Sequence, residues 1–268
     1  MDYSKYASLI VNRDNNGITV LKFNQPEQLN AFGGTLHRQI EDVMVDLNDD
    51  NSVNVIIVTG EGRAFSAGGN VKDMASRHGT PEAWQRLVSG MHGPKRLVGN
   101  ILDCYKPTIA AINGDAMGLG ATVALAMDIQ VMSETARIGD THVRVGLVAG
   151  DGGTVTWPLL IGPNRAKDFL MRGKVIKGVE AERLGLVNYV APADQVMAKA
   201  MEIATDLNSL PPMAVRLTKV SMNKMIKQHF NLMMDAAISY EYLTMVSQDH
   251  KTAAQSFVDK SKPSYKGL

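Results

Sequence analysis

Two segments of the chain pass from an apolar, β-branched run into a glycine-rich stretch. Val53–Thr59 (VNVIIVT) leads to Gly62–Met74 (GRAFSAGGNVKDM), and Thr108–Ile112 (TIAAI) leads to Asn113–Thr122 (NGDAMGLGAT). Each stretch then enters a helix-compatible sequence. Strand, glycine turn and helix, used twice, constrain the chain to an α/β architecture of stacked β–β–α or β–α units. The same junctions have chemical meaning. Glycine lets bare backbone approach a ligand, and a helix start presents unpaired N–H groups with positive dipole character. Two such junctions could aim two donors at one oxygen, a device that stabilises an enolate or a tetrahedral oxyanion. Tight turning and close helix packing are the other uses of glycine at such places.

Patterning elsewhere fits this plan. Ser8–Val11 and Ile18–Phe23, joined by Asn15-Asn16-Gly17, read as a β-hairpin. Thr35–Leu47 carries Leu36, Ile40, Val43, Met44 and Leu47 at helical spacing, and the pattern is helical again from Pro81 to Leu102. Val123–Met127 reads as helix and Ile129–Met132 as a short strand. A third glycine cluster, Gly146–Thr154, leads into Val155–Ile161 and a helix from Asn164 to about Met171. After Ala191-Pro192 the pattern is helical to residue 260, broken at Pro211-Pro212. The predicted division is therefore 1–192 for the α/β core and 193–268 for a helical region that folds back or docks on a neighbouring subunit.

With 268 residues, 45% hydrophobic and 21% charged, the chain can bury a full core. A net charge of +1 with scattered Lys and Arg offers no basic surface for nucleic acid. The single cysteine, Cys104, excludes an internal disulfide framework and reads as a small buried residue beside Lys106-Pro107. No apolar run reaches membrane-spanning length and the N-terminal segment is polar, so the expectation is a cytoplasmic protein without membrane association. Six of the 16 methionines lie between Met213 and Met245, which points to adaptable packing in a core or subunit contact, or to a permissive pocket. The six histidines are dispersed and no Cys/His ligand spacing occurs, so no metal is expected. Gly118-Leu-Gly120 superficially resembles a dinucleotide turn, but Val123 leaves GxGxxG incomplete.

Six stretches in register, Gln25–Ala31, Gly62–Met74, Lys106–Asp128, Gly146–Thr154, Gly185–Val190 and Ser256–Lys260, resemble the crotonase superfamily, the enoyl-CoA hydratase/isomerase family. The resemblance implies a spiral of ββα units, a C-terminal helical trimerisation region, and a homotrimer or a hexamer of paired trimers. It also implies an acyl group presented as a coenzyme A thioester, with no prosthetic group. By motif position the oxyanion donors would be the N–H groups of Gly69 and Leu119. The loops at Gln28, Leu29 and Ala67 would hold adenine and pantetheine, and Lys72, Phe257 and Lys260 would supply CoA contacts. Trp84 would line the acyl pocket or pack in the core.

The acid–base pattern departs from that family. Hydratases of this type place two glutamates where this chain has Thr122 and His142. A threonine hydroxyl is no carboxylate base, though it can orient water or a substrate oxygen. His142 and Asp151 remain as titratable groups, and a His–Asp pair could activate water or move an α-proton. Asp151 could instead only cap the following helix. Glu241, between Tyr240 and Tyr242, is a surface or interface carboxylate unless the helical tail carries it into the site as a third catalytic group. His78 and His92 read as exposed or packing residues. The set His142, Asp151 and Glu241 also resembles a branch that hydrolyses carbon–carbon bonds of β-diketones, although that branch carries a histidine where Leu119 stands. Three readings follow: enoyl-CoA hydratase-like chemistry through a stabilised enolate, C–C hydrolysis of a β-dicarbonyl, and a CoA-binding homologue with impaired catalysis.

Overall fold

The computed structural model describes residues 1–90 and 92–267. The chain opens with an antiparallel hairpin, β1 (Leu9–Arg13) and β2 (Ile18–Phe23), in which Leu9 faces Phe23 and Arg13 faces Thr19. Helix α1 (Thr35–Asp49) follows, and then a strand–strand–helix pattern repeats three times. The first repeat is β3 (Val55–Gly60), β4 (Ala64–Ser66) and α2 (Val71–Arg77), followed by α3 (Pro81–Gly90) and α4 (Gly93–Asp103). The second is β5 (Thr108–Ile112), β6 (Asp115–Met117) and α5 (Leu119–Leu125). The third is β7 (Ile129–Ser133), β8 (Arg137–Gly139) and α6 (Gly153–Ile161). The chain continues through α7 (Pro163–Arg172), β9 (Ile176–Lys177), α8 (Gly178–Arg183) and β10 (Tyr189–Ala191), and closes with α9 (Val196–Ser209), α10 (Pro212–Met245) and α11 (Gln248–Asp259).

Each repeat sends its longer strand to one sheet and its shorter strand to another. The six-stranded sheet runs β1-β2-β3-β5-β7-β10, parallel from β2 onward. The four-stranded sheet runs β4-β6-β8-β9, with β4, β6 and β8 parallel. Both faces of the large sheet are covered, which is why its strands read as unbroken apolar runs. Ile56 and Val58 of β3 pack on the side of Leu36, Ile40 and Leu47 from α1. Val55 and Ile57 pack with Val196, Ala200 and Ala204 from α9 on the other side.

The single helical pattern expected over Pro81–Leu102 is two helices. Pro94 stands in the first turn of α4, where its missing N–H costs nothing. Residues 155–161 are helical from Gly153 onward, and the helix after the second glycine stretch begins at Leu119 rather than Val123. Cys104 is buried, with its thiol against the Lys106 carbonyl oxygen. No helix among the described residues is long and apolar enough to cross a membrane.

Helix α10 has two apolar faces. Phe230, Met234, Ala237 and Ile238 are buried against the core, and Lys219 pins the helix through Asp128 at 2.7 Å and the Lys106 carbonyl oxygen at 2.8 Å. On the opposite side Thr218, Met222, Met225, His229, Leu232, Ala236, Tyr240 and Leu243, spaced by three or four residues, are all exposed. The methionine-rich segment thus divides: Met234 in the core, Met222 and Met225 on the open stripe, and Met245 in the cavity described below.

Candidate active site

Parallel pairing of β4, β6 and β8 places their C-terminal ends side by side. The residues that follow these strands are Ala67-Gly68-Gly69, Gly118-Leu119 and Asp140-Thr141-His142. Three segments distant in sequence therefore emerge at one end of one small sheet. Gly68 makes the closest approach. Its φ of 78° lies in the left-handed region, and a Cβ there would overlap the Met117 carbonyl oxygen and come within 3.5 Å of Gly118 Cα. Gly69 and Leu119 line the same cavity. Leu119 is the first residue of α5, so its N–H is one of the helix's unpaired donors. Among the described residues neither N–H is given to a protein acceptor.

His142 lies between two aspartates. Its Nδ1 donates to Asp140 Oδ1 at 2.7 Å, and its Nε2 to Asp151 Oδ2 at 3.1 Å. Asp151 does not cap α6, whose N-cap is Gly152 without a side-chain bond. Its second oxygen accepts from Thr122 Oγ1 at 3.0 Å. Thr122 is fully buried and outside the cavity lining, so the expectation that it contacts substrate is corrected: it orients Asp151. Burial by itself would lower the proton affinity of His142, but the charges of Asp151 and Asp140 and the bonds to both override it. The imidazole is held well above its ordinary value. Burial would raise Asp151, yet His142 and the Thr122 hydroxyl hold it below the usual carboxylate range.

Glu241 comes from the helical tail into this site. Gly150, next to Asp151, lies so close to α10 that a Cβ on it would overlap the Ala237 carbonyl oxygen and come within 2.7 Å of Glu241 Cβ. Of the two positions left open for Glu241, the surface or interface one is excluded: the residue is buried and lines the cavity, and its carboxyl group accepts no hydrogen bond among the described residues. Burial, reinforced by the Asp151 charge, pushes its carboxyl up to about 8. One cavity thus holds an ionised carboxylate and a neutral carboxylic acid at neutral pH, a separation that divides base from acid.

The cavity has a volume of about 500 Å³. Trp84 lines it while 62% exposed, so the core position considered for it is excluded. His78 also lines it, Nε2 facing the Ser247 carbonyl oxygen at 3.0 Å, which corrects the reading of this residue as merely exposed or packing. Gln28, Leu29, Ala67, Lys72, Phe257 and Lys260 are outside its lining, and Lys72, Phe257 and Lys260 are exposed. Leu29 and Ala67 are joined through the Ala67 N–H and the Leu29 carbonyl oxygen at 2.9 Å. Sequence reading missed Asp140, His37 and His250. Asp140 had a signal in its i, i+2 spacing to His142, and His37 in the Gly33-Gly34 pair that opens α1. Asp140, His142 and Asp151 bring oxygen and nitrogen atoms within 4.8 Å of one another, but the imidazole ring occupies the space between the carboxylates and both its nitrogens are engaged. The arrangement is a hydrogen-bonded triad.

The chain is similar over nearly its whole length to known proteins. It is 31% identical to a crotonyl-CoA hydratase of Syntrophomonas wolfei over 97% of this chain and 98% of the relative. It is 32% identical to a short-chain-enoyl-CoA hydratase of Clostridium acetobutylicum over 91% and 92%. A crystal structure of an enoyl-CoA hydratase/isomerase from Mycobacterium paratuberculosis superposes with a TM-score of 0.87 at 33% identity, covering 93% of this chain and 98% of that one. The family profile for enoyl-CoA hydratase/isomerase matches residues 13–268. With its spiral of strand–strand–helix units and its C-terminal helices, the chain belongs to the enoyl-CoA hydratase/isomerase family.

Proposed function

We propose that this protein is an enoyl-CoA hydratase-like lyase that acts on an acyl-CoA thioester through an enolate, with Asp151 and Glu241 standing in for the usual glutamate pair. One observation carries the reading: Gly69 and Leu119, from successive repeats and with N–H groups given to no acceptor among the described residues, line the same cavity as one ionised and one neutral carboxyl. Gly69 and Leu119 would donate to the thioester oxygen, each such donor contributing about 3–4 kcal/mol to an oxyanion transition state. Asp151 takes a proton from water as its oxygen adds to the β-carbon. Electrons move onto the thioester oxygen, and Glu241 delivers a proton to the α-carbon. His142, charged and held by Asp140, keeps Asp151 oriented and ionised. No metal or prosthetic group takes part in this scheme.

The remote part of the thioester would leave past Gly69 toward Gln28, Leu29, Ala67 and Lys72. Helix α11 packs on α2, and Phe257 and Lys260 at its end would supply further contacts. The open stripe on α10 supports assembly as a homotrimer or a hexamer.

A second reading is favoured by the burial of Glu241 in the cavity. Water activated by Asp151 would attack one carbonyl of a β-dicarbonyl, the carbon–carbon bond would break, and the departing enolate would take its proton from Glu241. Incubation with crotonyl-CoA and, separately, with a cyclic β-diketone distinguishes the two. Hydration of the enoyl thioester is the expected result. Diketone opening without turnover of any enoyl-CoA would replace the first reading with the second, and tight CoA-thioester binding without turnover of either would mark an impaired homologue.

A further inference from the structure

The turn that carries His142 is held by a residue far along the chain. His142–Val145 is a single 3-10 turn, closed by Gly146 in the left-handed region. The carbonyl oxygens of His142 and Val143 accept from the N–H groups of Leu147 and Gly146, at 3.0 and 3.1 Å. That of Val145 accepts instead from His250 Nδ1 at 2.6 Å, across 105 residues of chain. A carbonyl group can only accept, so this bond places the ring proton of His250 on Nδ1. Burial, aided by the neighbouring His78, holds the imidazole below its ordinary value despite the bond to Val145, so the ring is neutral and carries that one proton.

His250 is itself fixed from several sides. It is buried in the first turn of α11, and its backbone N–H is taken at 3.0 Å by the hydroxyl of Ser247, the N-cap. A Cβ on Gly146 would come within 2.9 Å of His250 Cα and 3.0 Å of its backbone N, so the turn and α11 meet backbone to backbone. At the end of α2, His78 Nε2 donates to the Ser247 carbonyl oxygen at 3.0 Å, and its ring centre lies 5.8 Å from that of His250.

We propose that His250 is a positioning residue that holds His142 between Asp140 and Asp151 by capping the Val145 carbonyl group. The inference rests on the reading above, in which His142 keeps Asp151 oriented and ionised, and extends it to a helix that supplies none of the reacting groups. Residues three apart in a 3-10 turn lie one above the other, so anchoring Val145 fixes the backbone from which the His142 ring is aimed. Without its donor the Val145 carbonyl group would have to turn toward another, and the ring would move with it.

Nitrogen NMR of the unmodified protein tests the bond first. His250 is expected as a neutral ring protonated at Nδ1, and the form protonated at Nε2 would overturn the proposal. His250→Leu removes the donor, whereas His250→Asn returns one from an amide nitrogen at the place of Nδ1. In His250→Leu, His142 is expected to titrate lower, because its ring keeps the burial penalty while leaving the two aspartates. With crotonyl-CoA, kcat should fall about 10- to 100-fold, the range for a misplaced group, with KM within about twofold. His250→Asn should recover most of both properties. An unchanged His142 titration in His250→Leu, or equal losses in the two variants, would overturn the proposal, the second by marking a space-filling role. If His250→Leu fails to fold, the tautomer and the His142 titration in His250→Asn decide, an unmodified titration supporting the role and a lowered one refuting it. No turnover of crotonyl-CoA by the unmodified protein would remove the hydratase reading, and the two NMR measurements then decide the positioning role on their own.

Discussion

His142 gives one ring N–H to each of two carboxylates, so removing either acid changes its proton affinity in a definite direction. In Asp151→Asn the burial penalty stays while one attracting charge is lost, so the imidazole should titrate lower than in the unmodified protein. NMR titration of the ring carbons would show this, and an unchanged titration would mean that Asp151 does not hold the proton on His142. Turnover should fall about 10²–10⁴-fold in the same variant, the range for loss of a positioned base. Glu241 gives an independent pH signature. Its carboxyl is pushed up to about 8 from an ordinary 4.5, so between these values the folded chain binds a proton that the unfolded chain has released. Stability therefore declines as pH rises through this window and levels off above it. Glu241→Gln removes that slope. Urea unfolding should show the variant and the unmodified protein equal below about pH 4 and the variant more stable at pH 9, by on the order of a few kcal/mol. Its turnover should fall because an amide cannot return the proton. A parallel pH dependence in both proteins would place the titration elsewhere.

At the level of elements, the site is assembled where α10 crosses the third glycine cluster. Gly150→Ala should force the two apart, because the added methyl overlaps backbone of α10, and a loss of about 1–3 kcal/mol is the range for overpacking. Gly99→Ala supplies the contrast. Gly99 lies inside α4 with only ordinary contact to Phe230 at 3.9 Å, so alanine there should stabilise by about 0.4–1 kcal/mol. Urea midpoints moving in opposite directions would verify both, and a neutral Gly150→Ala would deny the close crossing. The same crossing explains what the sequence could reveal. The long strands were legible as apolar runs and α1 as a helical period, because each carries its own pattern over five or more residues. Strands β4, β6 and β8 are three residues each and the first two are embedded in glycine motifs, too short for alternation to register. Yet these are the strands that gather the site. His142 and Asp151 could be found because they sit beside glycine motifs in the chain. Glu241 reaches the cavity only through the tertiary packing of α10, so nothing in its local sequence distinguished it from a surface or interface position.

For the molecule as a whole, the open stripe on α10 is the feature a lone subunit does not account for. A helix packed on one side only should show one apolar face, with polar residues opposite. Here the opposite face carries Met222, Met225, Leu232, Tyr240 and Leu243, of which Leu232 is 79% exposed and Leu243 68%. The stripe, interrupted by His229, continues for most of the helix at the spacing of a helix–helix seam, and we propose that it is where copies of the chain associate. Its lower end lies beside Glu241, so assembly would brace the segment that carries this residue. Leu232→Glu combined with Leu243→Glu should place charges in any such seam without touching the core face. Light scattering coupled to size-exclusion chromatography is expected to give a trimer or hexamer for the unmodified chain and a monomer for the double variant. The monomer should retain its helical circular dichroism and lose part of its turnover, because α10 is then held only by its core face and the Lys219 anchor. A monomeric unmodified chain would refute the assembly, whereas a monomeric double variant with full turnover would show that the subunit holds Glu241 in place without its neighbours.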